Sequence, residues 1–277
     1  MARHDVSLTL QRDHGPTQIT LSLDPEQMSQ RFMLNDLTTG RLYESETSQF
    51  LGAVLGAGDT FIDVGAHVGY FSMLAAALVG PTGRVISFEP DVSNYAHLLE
   101  HVERNGAAQV LPVPLAVGAE PRVAEFFVNA DNDGGHGLWE VGTHPFNART
   151  REAPRTRKVF LTTLDDFIGS SGSSAAHRVK AIKIDAEGSE VAVLAGARGL
   201  IEQHAVPFIV AEINRFALTA MGTSEAALRG FMTMLGYETY LFQPGQSVLQ
   251  RLTPDQTPET DYVFNVLFRH PMAPAIA

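Results

Sequence analysis

One stretch constrains this chain more than any other: Asp59-Thr-Phe-Ile-Asp-Val-Gly-Ala-His-Val-Gly69. Phe61 to Val64 is a short apolar run that reads as a buried strand, with an acid, Asp63, inside it. The run breaks into a loop carrying Gly65 and Gly69, and an alanine-rich apolar stretch from Tyr70 to Leu78 follows as a helix. Strand, glycine loop and helix together make a nucleotide cradle in an α/β sheet. Glycines let the backbone approach a ligand closely, and a helix N-terminus offers free N–H groups. The spacing is D-x-G-x-x-x-G, with Ala66 at the centre, and not the G-x-G-x-x-G of dinucleotide folds.

The rest of the chain repeats the alternation. Arg84–Phe88 reads as a second strand ending in Glu89-Pro90, and Ser93 or Asn94 opens a helix to Asn105, closed by Gly106. Gln109–Leu115 is a third strand, Val179–Ile184 a fourth and Phe208–Ile213 a fifth, with helices near 189–203 and 224–235. Tyr237–Phe242 and Tyr262–Phe268 are the last two strands. Such alternation implies a parallel sheet with helices on both faces. Upstream, residues 5 to 11 and 17 to 23 alternate apolar and polar around His14-Gly15-Pro16, the pattern of a β-hairpin. A short strand is expected over 31 to 34, and Ser45 is placed to cap a helix to about Leu55. Residues 119 to 178 break the rhythm. There, Val123–Asn129 and Lys158–Thr163 read as strands flanking a polar loop, 130 to 157, that carries the only tryptophan, Trp139. A loop of that length in a compact domain is usually functional, and it reads as a substrate lid. Gly169 to Ala176 is a Ser/Gly-rich stretch.

With 277 residues there is enough chain for one large α/β domain, and no strong linker divides it. The expected division is an N-terminal hairpin extension, 1–44, and a main domain, 45–270. A net charge of -11 argues against non-specific nucleic-acid binding and against docking on an anionic membrane. No cysteine is present, which excludes disulfides, thiolate catalysis and Cys-ligated zinc. The N-terminal residues lack a signal-peptide core and no apolar run is long enough to span a bilayer, so the expected location is cytoplasmic.

Several residues could carry chemistry. Glu89, at the tip of the second strand, is placed to accept ribose hydroxyls, although a ribose acid does not by itself separate one adenosine cofactor from another. Asn105 is either a helix cap or a ligand contact. Ala116 and Val117 lie where an adenine ring would stack. Asp185, Glu187 and Glu190 follow the fourth strand around a glycine, and Glu212 and Asn214 end the fifth on the same rim. Part of the role of Glu190 is to favour the helix N-terminus. Asp185, Glu212 and Asn214 converging on one rim would make an oxygen-rich Mg²⁺ site, and the alternative is that Glu212 pairs with Lys183 or Arg215. His67 either contacts the cofactor or packs behind it. His136 and His144 are solvated loop histidines or, in the case of His136, a general base.

Taken together, Asp59–Ser72, Phe88-Glu-Pro90, Leu115-Ala-Val-Gly118, Thr163-Leu-Asp165 and Ile182–Glu190 resemble the FkbM family of S-adenosylmethionine (SAM)-dependent methyltransferases, from about Ser45 to Asn214. The resemblance implies an α/β fold: a Rossmann-like, doubly wound, seven-stranded, mostly parallel sheet whose final strand is antiparallel. The N-terminal hairpin and the inserted hairpin with its lid would be additions to it. It implies SAM bound through Asp63, Gly65, Gly69 and Glu89, with the Asp185–Glu190 segment closing the site; the further candidates for cofactor contact are Ala66, His67, Tyr70, Phe71, Ser72, Pro90, Asn105, Ala116, Val117, Asp185 and Glu187. Asp185, Glu212, Asn214 and His136 would be the catalytic candidates. The family is mostly associated with O-methylation of natural products and sugars, and some members methylate nitrogen, including peptide side-chain amides. The acceptor is therefore a small-molecule hydroxyl or, alternatively, a peptide nitrogen, chosen by the hairpin at 1–25 and the lid. The hairpin is also where a homodimer would form. A nucleotide-binding module without catalysis is disfavoured by the retained strand-end acids, and a nicotinamide dehydrogenase by the missing central glycine.

Overall fold

The structure is a computed structural model and describes residues 3–10, 16–170, 179–243, 249–260 and 263–276. The chain opens with the antiparallel hairpin β1 (His4–Leu10) and β2 (Thr17–Leu23), then α1 (Met28–Thr38) and α2 (Ser45–Val54). The expected hairpin turn at His14-Gly15 lies outside the described residues. Next come β3 (Thr60–Val64), α3 (Tyr70–Val79), β4 (Arg84–Phe88), α4 (Val92–Arg104) and β5 (Val110–Val113). An inserted small sheet follows: β6 (Ala116–Val117), β7 (Arg122–Val128) and, beyond a 3-10 turn at Val141–Thr143 and α5 (Ala148–Glu152), β8 (Arg155–Thr162). After α6 (Leu164–Ser170), the main sheet resumes with β9 (Val179–Ile184), α7 (Glu190–Ala195), α8 (Arg198–His204), β10 (Phe208–Asn214), α9 (Arg215–Ala220) and α10 (Glu225–Met234). It finishes with β11 (Glu238–Leu241), β12 (Gln250–Leu252) and β13 (Val263–Arg269). Residues 171–178, most of the Ser/Gly-rich stretch, lie outside the described residues.

The main sheet runs β12-β11-β13-β10-β9-β3-β4-β5. β3 pairs in parallel with β4 on one side and β9 on the other, and β13 runs antiparallel between β10 and β11. The chain thus leaves β3 in one direction and returns to β9 on the opposite side, which opens a crevice at the carboxyl ends of these two strands. Alternate residues of each strand feed two separate cores. Ile62, Val64, Ile86, Ile182 and Ile209 face α6, α7 and α8, while Phe61, Val85, Ala181, Phe208 and Val210 face α2 and α3. α3 is buried at every position, covered by β2 and α2, so the N-terminal segment belongs to the same core as the sheet.

The structure corrects five sequence expectations. Residues 31–34 are helical: Met33 and Leu37 face inward from α1 at a spacing of four, while Phe32 is half exposed. Ser45 does not cap α2, because Glu44 holds that position in a left-handed conformation. Asp91, rather than Ser93 or Asn94, caps α4, accepting hydrogen bonds from both of their backbone N–H groups. The main sheet has an eighth strand, β12, too short and polar (Gln-Arg-Leu) to show as a strand pattern. The segment expected as one helix over 189–203 is broken into α7 and α8 at Gly196, where any Cβ would meet the Gly118 carbonyl.

His101 joins α4 to the hairpin from a fully buried position. The Ser22 N–H donates to its Nε2 at 2.9 Å, so Nδ1 carries the proton and donates to the Val68 carbonyl at 2.6 Å. Burial holds its pKa below the ordinary 6.5, favouring this neutral tautomer. The unfolded chain takes up a proton near pH 6.5 where the folded one does not, so this group withdraws stability as pH falls below that value. Urea denaturation at pH 7.5 and pH 5.5 should show the stability advantage of wild type over His101→Gln shrinking at the lower pH. An advantage independent of pH would show that His101 is not held neutral.

Candidate active site

The site begins where β3 and β9 end. Their parallel register sets Asp63 beside Lys183 and Val64 beside Ile184, and the Asp185 N–H donates to the Val64 carbonyl at 2.9 Å. The two chains then separate around Gly65, whose φ is +80° and whose missing Cβ would lie 1.8 Å from the Asp185 carbonyl oxygen. Only glycine fits this crossing. Gly69 serves the packing of a helix instead. With φ +91° it lets Leu98 of α4 pack against the loop, where a Cβ would come within 2.5 Å of the leucine side chain. The amides of the loop itself are taken up within the protein. Gly65 and Ala66 both donate to the Phe88 carbonyl at the end of β4, and His67 N–H donates to Glu89 Oε2 at 2.8 Å.

Above this crossing lies a cavity of about 480 Å³. Gly65, Ala66, His67, Tyr70, Phe71, Glu89, Pro90, Ala116 and Val117 line it from the cradle side. Asp185, Glu187, Glu212, Asn214 and His136 line it as well. The structure therefore brings together most of the residues named from sequence. Asp63, Gly69, Ser72 and Asn105 are not among the lining residues. Asp63 is buried beneath the loop and accepts a 2.6 Å hydrogen bond from Ser72 Oγ, so this pair braces the cradle from below. Of the two readings of Asn105 the structure shows the cap and not the ligand contact: it is the C-cap of α4, and its side chain exchanges two hydrogen bonds with the backbone of Thr20 and donates to the His101 carbonyl, stitching α4 to β2. None of the hairpin residues 4–10 or 17–23 lines the cavity, whereas Met28, Ser29 and Met33 of α1 do. Among the described residues, α1 reaches the cavity and the two hairpin strands do not.

The floor of the cavity holds an unusual balance of charge. Lys183 is fully buried, with its Nζ 2.8 Å from Asp185 Oδ2 and 4.5 Å from the centre of the Phe71 ring. Burial alone would depress its pKa, but Asp185, Glu44, Asp63 and Glu212 together hold it above the ordinary lysine value. The acids outnumber this one cation. Desolvation, followed by repulsion from Asp185, raises Glu212 well above the ordinary carboxylate range and Glu187 to about 8. Asp63 rises to about 6 and Glu89 to about 7, in both cases mainly through burial. Glu190 also rises to about 7, and its Oε1 accepts from the Ala186 and Gly188 amides, which holds the turn after β9 in shape.

The expected Mg²⁺ ligand set is also corrected. Asn214 turns away and donates to Glu187 Oε2 at 3.0 Å, while its Oδ1 caps α9. Glu44 takes its place, within 4.8 Å of Asp185 and Glu212. Lys183 already supplies positive charge to this group, and an ammonium and a divalent cation would compete for the same carboxylates, so no step is assigned to a metal. Glu44 was not visible from sequence because it sits in an unremarkable Tyr-Glu-Ser context before α2. Its position depends on β13: the antiparallel register places Asn265 opposite Glu212, and Asn265 Nδ2 donates to Glu44 Oε2 at 2.9 Å.

The segment 130–157 forms the roof. It is built rather than loose: Asn129 Oδ1 accepts from the amides of Asp131 and Asn132, and Asp131 accepts from those of Arg149 and Thr150 at the start of α5. Trp139 donates its indole N–H to the Glu187 carbonyl at 2.9 Å and packs against Phe216. His136 Nδ1 accepts from the Asn129 amide, which leaves Nε2 facing Asp91, 4.0 Å away, and burial favours its neutral form. His144 and Phe146 continue the cavity wall towards the surface, where Phe146 is 85% exposed.

A sheet in which β3 lies between β4 and β9, with an antiparallel strand inserted between the last two parallel ones, is the class I methyltransferase arrangement. A family model for the methyltransferase FkbM domain matches residues 63–239, and the chain belongs to the FkbM methyltransferase family. Among solved structures, the chain is similar to the methyltransferase FkbM from Methylobacillus flagellatus KT, at 19% identity over 77% of this chain and 44% of that one, with a TM-score of 0.47. It is similar to a SAM-dependent O-methyltransferase from Thermotoga maritima at 10% identity, over 97% and 79% of the two chains, with a TM-score of 0.44. A Streptococcus mutans structure in complex with SAH is similar at 12% identity, over 80% and 94%, with a TM-score of 0.44. The present chain thus spans less than half the length of the Methylobacillus protein. No curated protein matches the sequence.

Gly65→Ala should cost on the order of 3 kcal/mol of stability, because it combines a strained φ with a backbone collision. It should also abolish binding of S-adenosylhomocysteine (SAH) in a calorimetric titration. A stable variant that binds SAH as well as wild type would show that the crossing is not the cradle.

Proposed function

We propose that the protein is a SAM-dependent methyltransferase acting on a hydroxyl of a small-molecule acceptor. The observation that carries this reading is the single cavity that joins the glycine crossing and Glu89 to the strand-end carboxylates Asp185, Glu212 and Glu44. Its volume of about 480 Å³ lies within the roughly 300–1,000 Å³ of small-molecule sites, enough for SAM and part of an acceptor. Glu89 would accept the ribose hydroxyls, Ala116 and Val117 would flank the adenine, and Gly65 and Ala66 would border the methionine portion. Bound SAM supplies a methyl group already activated on a sulfonium centre.

The protein's share of the chemistry is alignment and exclusion of water. Asp185 faces the cavity beside the crossing, fixed by Lys183, and would take the proton of the acceptor hydroxyl as the new C–O bond forms and SAH departs. Glu44 and Glu212, biased by burial towards their protonated forms, would donate or accept hydrogen bonds to neighbouring acceptor groups. Tyr43, Phe71, Trp139 and Phe146 give the remaining wall an aromatic character suited to a ring-bearing acceptor.

Calorimetric titration with SAM, SAH and NAD is the direct test. Binding of the SAM pair with silence towards NAD is expected, and the reverse pattern would overturn the reading. A ribose acceptor must be ionised, and burial pushes Glu89 up to about 7. SAH affinity should therefore fall as pH drops through 7 in wild type and lose that dependence in Glu89→Gln, and a pH-independent affinity in wild type would remove Glu89 from the ribose site. With an acceptor found by screening phenols, sugars and peptide amides, Asp185→Asn should lower kcat by about 100-fold or more, the range for a positioned base. Glu44→Gln should raise the acceptor KM while leaving SAH affinity unchanged. Full turnover in Asp185→Asn would remove it from the mechanism.

A further inference from the structure

One carboxylate of the roof, Asp133, is bonded to three other parts of the molecule at once. Its Oδ1 accepts from the backbone N–H of Ser29 at 2.8 Å, and its Oδ2 accepts from Gln30 Nε2 at 3.0 Å, both on α1. The same Oδ2 lies 2.8 Å from Nε2 of His67 in the cradle loop. Its backbone carbonyl accepts from Asn94 Nδ2 of α4 at 2.9 Å. Asp133 is 7% exposed. Ser29, His67 and Asn94 all line the cavity, as do Asn132 and Gly134 on either side of Asp133.

The histidine at the other end of this contact is itself constrained. His67 has φ +52°, a left-handed conformation that a side chain bearing Cβ seldom adopts. That conformation aims its N–H at Glu89 Oε2, 2.8 Å away, so the ring and the backbone of one residue connect the roof to the ribose carboxylate. Burial favours a neutral imidazole, but Asp133 and then Glu89 hold the His67 pKa above its ordinary value, while the histidine keeps Asp133 well below the usual carboxylate range despite burial. Each partner thus favours the charged form of the other, and a hydrogen bond between charged groups is stronger than a neutral one.

We infer that Asp133 is a cofactor-positioning residue, which clamps His67 and through it Glu89, and which fastens α1 and the roof over the nucleotide end of the cavity. The inference rests on the SAM-binding reading above. Asp133 itself does not touch the reacting atoms. It sets the geometry of the residue that would hold the ribose.

The test is calorimetric titration with SAH of wild type, Asp133→Asn, His67→Asn and the double variant, with the melting temperature of each unliganded protein and the emission of Trp139 followed in parallel. Asparagine tolerates the left-handed conformation, so His67→Asn keeps the loop backbone but cannot reach Asp133. Each single variant should weaken SAH binding by about tenfold or more, as expected for loss of a charge-assisted bond. The double variant should be no weaker than the weaker single to within about twofold, because the two residues act as one unit. In turnover the loss should fall on KM for SAM and leave kcat unchanged, a split that general destabilisation would not produce. SAH affinity within about twofold of wild type in either single variant, or losses that multiply in the double variant, would overturn the inference. Should Asp133→Asn fail to fold, His67→Asn decides alone by the same criterion. A wild type that does not bind SAH would overturn the SAM-binding reading itself, an outcome distinct from unchanged variants of a binding wild type.

Discussion

Everything in the site depends on two backbones passing almost in contact. Gly65 leaves β3 and Asp185 leaves β9 with no room for a single carbon between them. This crossing fixes where the loop begins, how far α3 stands from the sheet, and where the side chain of Asp185 enters the cavity. The amides of Gly65 and Ala66, both bonded to the Phe88 carbonyl, bind the third strand of the site, β4, to the same point. Three parallel strands are thereby locked at their carboxyl ends, and Glu89 and Asp185 are held on opposite sides of one opening. A doubly wound sheet always has such an opening. Here the fit at Gly65 makes it a rigid one.

The second organising fact is electrostatic. Half-buried carboxylates surround one buried ammonium, and the imbalance raises the proton affinities of Glu212 and Glu187. Unpaired buried charge is costly, so such an arrangement adds little to the stability of the fold. It fits a site that handles protons and a positively charged donor, and it explains why Lys183 lies within the strand rather than at its end. The neighbouring Phe71 ring gives the ammonium a second favourable contact without another acid.

The roof and α1 cover part of the crevice and leave it open on the side of Phe146. Segment 130–157 is bonded internally through Asn129 and Asp131, to the floor through Trp139 and Glu187, and to the cradle through Asp133 and His67. Asp91 adds a further link, since it caps α4 and pairs with Arg157 of β8 at 2.8 Å. The inserted sheet is thus fastened to the same helix that packs on the glycine loop.

The local segments were legible in the sequence because their signals are local. The glycine loop, the acids at the ends of β4, β9 and β10, and the period-two alternation of the hairpin each need only a few adjacent residues to declare themselves. Errors arose where neighbours in space outweighed neighbours in sequence. Phe32–Leu34 resembles a strand until α1 turns Met33 and Leu37 onto the core, and Asn105 resembles a ligand until β2 comes alongside α4. Asn214 resembles a metal ligand until Glu187 draws it aside. Glu44 and Asp133 carry no local signal, because each becomes part of the site through partners far along the chain: Asn265, 221 residues from Glu44, and His67, 66 residues from Asp133. The sequence by itself determined the strand–helix alternation of the parallel part of the sheet, the glycine loop and the acids at strand ends, since backbone conformation and strand burial follow from short patterns. Only the tertiary structure decided which of those polar groups meet, because hydrogen bonds and ion pairs form between side chains brought together by sheet register and helix packing.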